Sequence, residues 1–293
     1  MCEIMRIKHA SFPIWVLSIM TMFISLPGLL AEDAKLTVED IVERHLASIG
    51  TPEARAAIQS RIAGGTVQMS YRLGGIGQPS GKFNIISEGR KFRFGMNFGA
   101  LDYPGDQFAF DGDKVTVSQI RSRVRSAFSD FLYSNEIIVK EGLLGGTLST
   151  AWPLFDLKGR QGKVEYTGLK TIDEKPLHEV QYKPRKGGGE MQTYFYFDPE
   201  SFRHVRTRIR LMRPDSAPAG IGDVSDSTGT IYTLVERFDN FSVVDGLTLP
   251  QKYTLELEIN TAGGSTVIDW DTAISGIVHN QQMDPKYFVV KEL

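Results

Sequence analysis

The regular alternation of apolar and polar side chains constrains this chain more than any other feature in it. Residues 91–98 read Lys-Phe-Arg-Phe-Gly-Met-Asn-Phe, 204–211 read His-Val-Arg-Thr-Arg-Ile-Arg-Leu, and 252–259 read Lys-Tyr-Thr-Leu-Glu-Leu-Glu-Ile. Successive side chains of a strand point to opposite faces, so each segment offers one greasy face and one wet face. The pattern recurs with turn signals between and predicts about eleven strands in meander order. The fold class expected is mainly β (α+β), a large curved antiparallel sheet forming a half-open β-barrel. N-terminal and mid-chain helices would act as plug or lid.

Helix is scarce. Residues 37–50 carry the clearest signal: Thr37 as cap, Asp40 three residues on, a stripe of Val38, Ile41, Val42, His45, Leu46 and Ile49, and Gly50 as terminator. Thr51-Pro52 opens a second short helix. Residues 126–158 then break the β pattern with an apolar, non-alternating run. Phe128, Phe131, Leu132, Leu143, Leu144 and Trp152 are its candidate lid or plug residues. Asp111-Gly112-Asp113, Asp173-Glu174, Asp198-Pro199-Glu200 and Asp245-Gly246 read as hairpin turns, and the Pro-, Gly- and Ser-rich stretch 213–229 as a mobile loop.

The apolar positions of the strands predict one concave face. Val67, Met69, Tyr71, Phe83, Ile85, Phe92, Phe94, Met96, Val205, Ile209, Tyr253, Leu255 and Leu257 would line it. Such a face fills with core or holds a greasy ligand. Burying one long acyl chain contributes on the order of 10 kcal/mol, at about 0.8 per methylene. A lipid carrier therefore needs no catalytic group.

Motifs for other chemistries do not assemble. Among five histidines no ligand spacing occurs, so neither metal nor other cofactor is expected. No G-x-S-x-G elbow is present, and the Gly145-Gly146-Thr147 run lacks the Lys of a phosphate loop. No catalytic residue is assigned. A net charge of −2 argues against a nucleic-acid partner. Arg121, Arg123 and Arg125, and likewise Arg206, Arg208 and Arg210, would share strand faces, as a solvated sheet surface or a surface for anionic headgroups.

The first 31 residues read as an export signal: Arg6 and Lys8, an apolar stretch to Leu26, Pro27-Gly28, then Ala31 before Glu32. The uncharged run Ala10–Ala31 is also long enough to anchor in a bilayer if retained. Cys2 is the only cysteine, so no disulfide forms within the chain. An exported domain without disulfides suits the bacterial periplasm. The expected organisation is a signal over 1–31 and one domain over 32–293.

The segments TVEDIVERHLASIG, GTVQMSYR, GRKFRFGMNF, FAFDGDKVTV and YFYFDPESFRHVRTRIRL, in that order, resemble the periplasmic lipoprotein-sorting carriers of the LolA and LolB type. That resemblance implies a half-open barrel with helices closing its mouth. It also implies a monomer binding acyl chains of lipids or lipoproteins, between an inner-membrane donor and an outer-membrane acceptor. Arg93, on an early strand, is the candidate for the family's mouth-closing arginine. The alternatives are a structural or interaction module whose core is simply filled, and an envelope enzyme on a β-barrel scaffold.

Overall fold

The computed structural model describes residues 36–100, 103–213 and 229–291. The expected signal and the centre of the 213–229 loop lie outside the described residues. Leu36–Leu293 cluster as one unit.

The chain opens with α1 (Val38–Ile49) and α2 (Pro52–Ala56). Thr37 and Asp40 form a full capping box, each side chain satisfying the other's backbone N–H, and Ile41, His45 and Ile49 turn inward. Five strands follow: β1 (Ser60–Leu73), β2 (Ser80–Glu88), β3 (Lys91–Asn97), β4 (Gln107–Phe110) and β5 (Val115–Val117). Seven more come after a helical interlude: β6 (Lys163–Ile172), β7 (Lys175–Lys183), β8 (Gln192–Phe197), β9 (His204–Arg213), β10 (Thr230–Val244), β11 (Leu247–Thr261) and β12 (Gly264–His279).

All twelve join one sheet in the order β5-β4-β3-β2-β1-β12-β11-β10-β9-β8-β7-β6, antiparallel throughout. The sheet is curved and does not close. Its free edges are β5 and β6, and these are consecutive in the chain. The intervening segment therefore travels from one edge of the sheet to the other, carrying α3 (Ala127–Ser134), α4 (Ile137–Lys140), two 3₁₀ turns (Gly146–Leu148 and Pro153–Asp156) and α5 (Leu157–Arg160). Its apolar side chains pack against one face of the sheet in a single core. This segment is the plug.

The opposite face carries charges where the alternation places them. Arg72 on β1 pairs with Asp269 on β12 and, at 2.6 Å, with Glu256 on β11; Glu256 in turn meets Arg237 on β10 at 3.0 Å. Arg206 and Arg208 lie on this outer side, near Asp173 and Glu179 and over the Tyr194 and Tyr196 rings. Arg121, Arg123 and Arg125 do not share a strand face. They sit at a tight turn closed by the Arg121–Val124 bridge, with Arg123 at φ 63°.

Candidate functional site

The inner face is aromatic where strand parity puts it. Val67, Met69, Phe83, Ile85, Phe92, Phe94, Met96, Ile209, Tyr253, Leu255 and Leu257 are all at most 3% exposed and belong to one core cluster. Tyr71 packs half-buried at its margin. Val205 stays outside the cluster, and its neighbour His204 turns inward instead. The cause is an irregularity in the β8–β9 register beside Phe197, with Phe202 at φ 54°. A bulge of this kind moves the following side chains to the other face.

The plug lies directly on these residues. Phe128, Phe131, Leu132, Leu143, Leu144 and Trp152 are each at most 1% exposed. Phe128 meets Phe94 and Phe108 edge-on at 6.2 and 5.7 Å, and Trp270 at 5.1 Å. Phe131 stacks on Tyr232 at 5.1 Å. Ring pairs of this kind add about 0.5–1.5 kcal/mol each beyond area burial.

Three buried charged groups pin the plug to the sheet. Asp106, just before β4, accepts from Ser126 Oγ, Ser129 Oγ (2.6 Å) and Tyr103 OH. Ser126 is also the N-cap of α3, so Asp106 fixes the point where the plug begins its helix. Desolvation raises the Asp106 pKa despite these donors. Glu236 on β10 accepts from Gly145 N–H at 2.6 Å and from Tyr253 OH at 2.7 Å. Burial pushes its carboxyl up to about 7. Gly145 adopts φ 80°, and a Cβ there would meet Ile85 Cδ1 at 2.7 Å, so only glycine brings this N–H to the carboxylate. Arg61 on β1 donates to Thr147 O and, from Nε, to His279 Nε2 at 3.0 Å; His279 Nδ1 bonds Asp245 at 2.8 Å.

A second anchor surrounds Trp152. Its indole N–H donates to His45 Nε2 at 3.3 Å, while His45 Nδ1 bonds Phe202 O at 3.1 Å. Both ring nitrogens of His45 are thus used by a neutral imidazole, and desolvation lowers its pKa to about 4. His204 stacks on Trp152 at 4.5 Å, and burial drives its pKa well below the ordinary value. His45, Glu236, Tyr253, His204 and Thr207 are at most 1% exposed, so the polar cluster lies sealed beneath the plug.

Arg93 points away from the plug, bonding Tyr287 O at 3.0 Å and Gln107 Oε1 at 2.5 Å. It shares β3 with Phe92 and Phe94 but at the opposite parity. A sheet arginine that does bond the plug is Arg61, which sequence reasoning missed. Asp106 and Glu236 were missed as well. Each has a signal in hindsight: Arg61 shares parity with Ala63, Glu236 with Leu234 and Phe238, and Asp106 with Phe108 and Phe110, all apolar-face positions.

No group of three or more potential metal ligands occurs among the described residues, and none of their helices is long and apolar enough to cross a membrane. No family model and no curated protein matches the chain. Twenty-one chains of solved structures do match it. A LolA superfamily protein from Nitrosomonas europaea is 11% identical, covering 87% of this chain and 98% of that one with a TM-score of 0.43. A DUF1329 family protein from Desulfovibrio piger is 11% identical, covering 86% and 97% with a TM-score of 0.38. A putative outer membrane lipoprotein-sorting protein domain from Vibrio parahaemolyticus is 11% identical, covering 84% and 95% with a TM-score of 0.41. At that identity and with TM-scores below 0.5 the likeness is loose and speaks to neither ligand nor activity.

Proposed function

We propose that this chain is a non-catalytic carrier of acyl chains in the bacterial envelope. It is exported with residues 1–31 removed and works as a monomeric half-barrel over residues 32–293. The cargo lies against the inner face around Phe83, Phe94, Tyr253 and Leu257, and the plug moves aside to admit it. Lipids or the acyl groups of lipoproteins are the cargo class, taken from a donor in the inner membrane and passed to an acceptor in the outer one.

The observation that supports this reading is the plug's topology. An open sheet with a continuous apolar face is covered by one segment that crosses from edge to edge, tethered by isolated polar bonds at Asp106, Glu236 and Arg61. Displacing such a cover leaves the strand pairing intact. A second reading, an interaction module with a filled core, draws on the direct ring contacts between plug and sheet.

Native mass spectrometry of the protein purified gently from its host separates them. Co-purifying lipid or acylated peptide supports the carrier. A clean apo mass together with no uptake of a fluorescent fatty acid supports the module.

A further inference from the structure

Outside the plug, between α1 and the plug's last leg, runs an open groove of about 760 Å³. Val42, Leu46, Ala47, Leu157 and Val164 make most of its wall. It continues, through shared residues Leu46, Pro52 and Arg55, into a pocket of about 290 Å³. That pocket is walled by Ile58, Phe155 and Leu247 and contains two arginines, Arg55 and Arg61, with no acidic residue in its lining.

Among the described residues neither arginine forms an ion pair, and the one carboxylate whose charge is felt at Arg55 is the exposed Glu53, outside the pocket lining. Arg61 is 2% exposed and forms no ion pair; its bonds go to a carbonyl and to an imidazole, leaving Nη2 unused. Asp245 reaches it only through His279. Arg55 donates from Nη1 to Leu46 O and Gly50 O, both neutral. A buried guanidinium without a carboxylate is costly, and its free donors favour an anion. Burial alone depresses the Arg61 pKa to about 10, which still leaves it charged at neutral pH. The groove's lining also holds Lys158 on the plug side, and at its far end Glu39 and Glu43 from the first turns of α1.

We infer that this groove and pocket form a binding site for a single-chain anionic amphiphile, its acyl chain along α1 and its head group on Arg55 and Arg61. Charge sets the direction: both acidic residues of the lining stand on α1 away from the pocket, and the two arginines in the pocket receive the head group. Size fits too, because a methylene needs about the space a water molecule takes in the liquid, ~30 Å³. The site is separate from the inner face. Its occupant touches the plug through Phe155 and Leu157, so it is placed where a lipid would wait beside the cover.

The test is titration calorimetry of the purified protein with dodecanoate and with dodecanol, which share a chain and differ in charge. Dodecanoate is expected to bind at least tenfold more tightly. Arg55→Gln should remove that preference, Arg55→Lys should restore most of it, and Ala47→Glu, at an exposed wall position, should abolish binding of both. Equal affinity for the two ligands, or wild-type preference in Arg55→Gln, overturns the inference. A photoreactive acyl probe keeps the failures apart. Labelling of the inner face with unchanged binding in Arg55→Gln and Ala47→Glu sinks this site and leaves the carrier standing. Loss of binding in those variants, with no inner-face labelling at any concentration, establishes this site and sinks the carrier.

Discussion

The plug is held differently by the two arms of the sheet. On the β2–β4 arm, Phe128 meets Phe94 and Phe108 ring to ring, with Trp270 of the central strand β12 beside them. On the β8–β11 arm, Trp152 and the Gly145 turn rest on His204, Glu236 and Tyr253, with His45 of α1 packed against them. Dispersion and apolar burial do not titrate, whereas buried imidazoles and a buried carboxyl do. One arm is therefore an apolar clamp, with the buried carboxyl of Asp106 at its margin, and the other a latch built on titrating groups. A cover that must move without unfolding the sheet is expected to release first at the latch.

The largest effect should come from emptying the clamp. Phe128→Ala, or Phe94→Ala beneath it, removes a fully buried ring and should cost about 3–5 kcal/mol in denaturant unfolding, equally at pH 5 and pH 8. Alanine is the better probe there than glutamate, because a carboxylate at a position with 0% exposure would unfold the arm rather than report on binding. A loss that varied strongly with pH would contradict the assignment of that arm.

Glu236→Gln should reveal the latch. Its folded pKa, about 7, lies above the ordinary 4.5, so the folded state holds the proton more tightly than the unfolded one. Its contribution is fully present below about pH 4.5 and is lost as pH rises through 7. A neutral glutamine escapes that loss. The variant should match wild type near pH 4.5 and exceed it by about 3 kcal/mol at pH 8. A flat difference across pH would show that Glu236 is not the titrating tie.

The two histidines work in the opposite sense. Their folded pKa values are depressed, so their contribution is present above pH 6.5 and lost as pH falls toward 4. His45→Gln, which keeps hydrogen-bonding capacity at the Trp152 indole, should flatten acid destabilisation between pH 6.5 and 4 by an amount on the order of 1–3 kcal/mol. Thermal melts across that range check it.

The smallest effect belongs to the outer face. Arg72 is 56% exposed, and Arg72→Ala should change stability by about 1 kcal/mol or less, falling further in high salt, despite its pairs with Asp269 and Glu256.

How far the sequence could foresee this depends on distance along the chain. Helix α1 was legible because Thr37, Asp40 and the Ile41–His45–Ile49 stripe act within a few residues. The hairpins were legible because Asp111-Gly112 and Asp245-Gly246 set their own turns. The inner face followed from parity on both sides of the β8–β9 register irregularity, as Phe94 before it and Ile209 and Leu255 after it show. Beside Phe197 that parity is lost, which is why Val205 was expected inside and His204 was not. What the plug touches was not legible, since Glu236 and Gly145 are 91 residues apart and nothing local announces their bond. Nor was the groove, which exists only where α1, α5 and β6 come together.

The central claim is that acyl chains reach the inner face when the plug lifts. Hydrogen–deuterium exchange over residues 127–160 and over β2, β3 and β11, with and without a saturating fatty acid, tests it most directly. The account predicts faster exchange in the plug, first around Gly145–Trp152, with unchanged or slower exchange in the strands. Binding that left the plug's exchange unchanged, or that loosened plug and strands together, would contradict it.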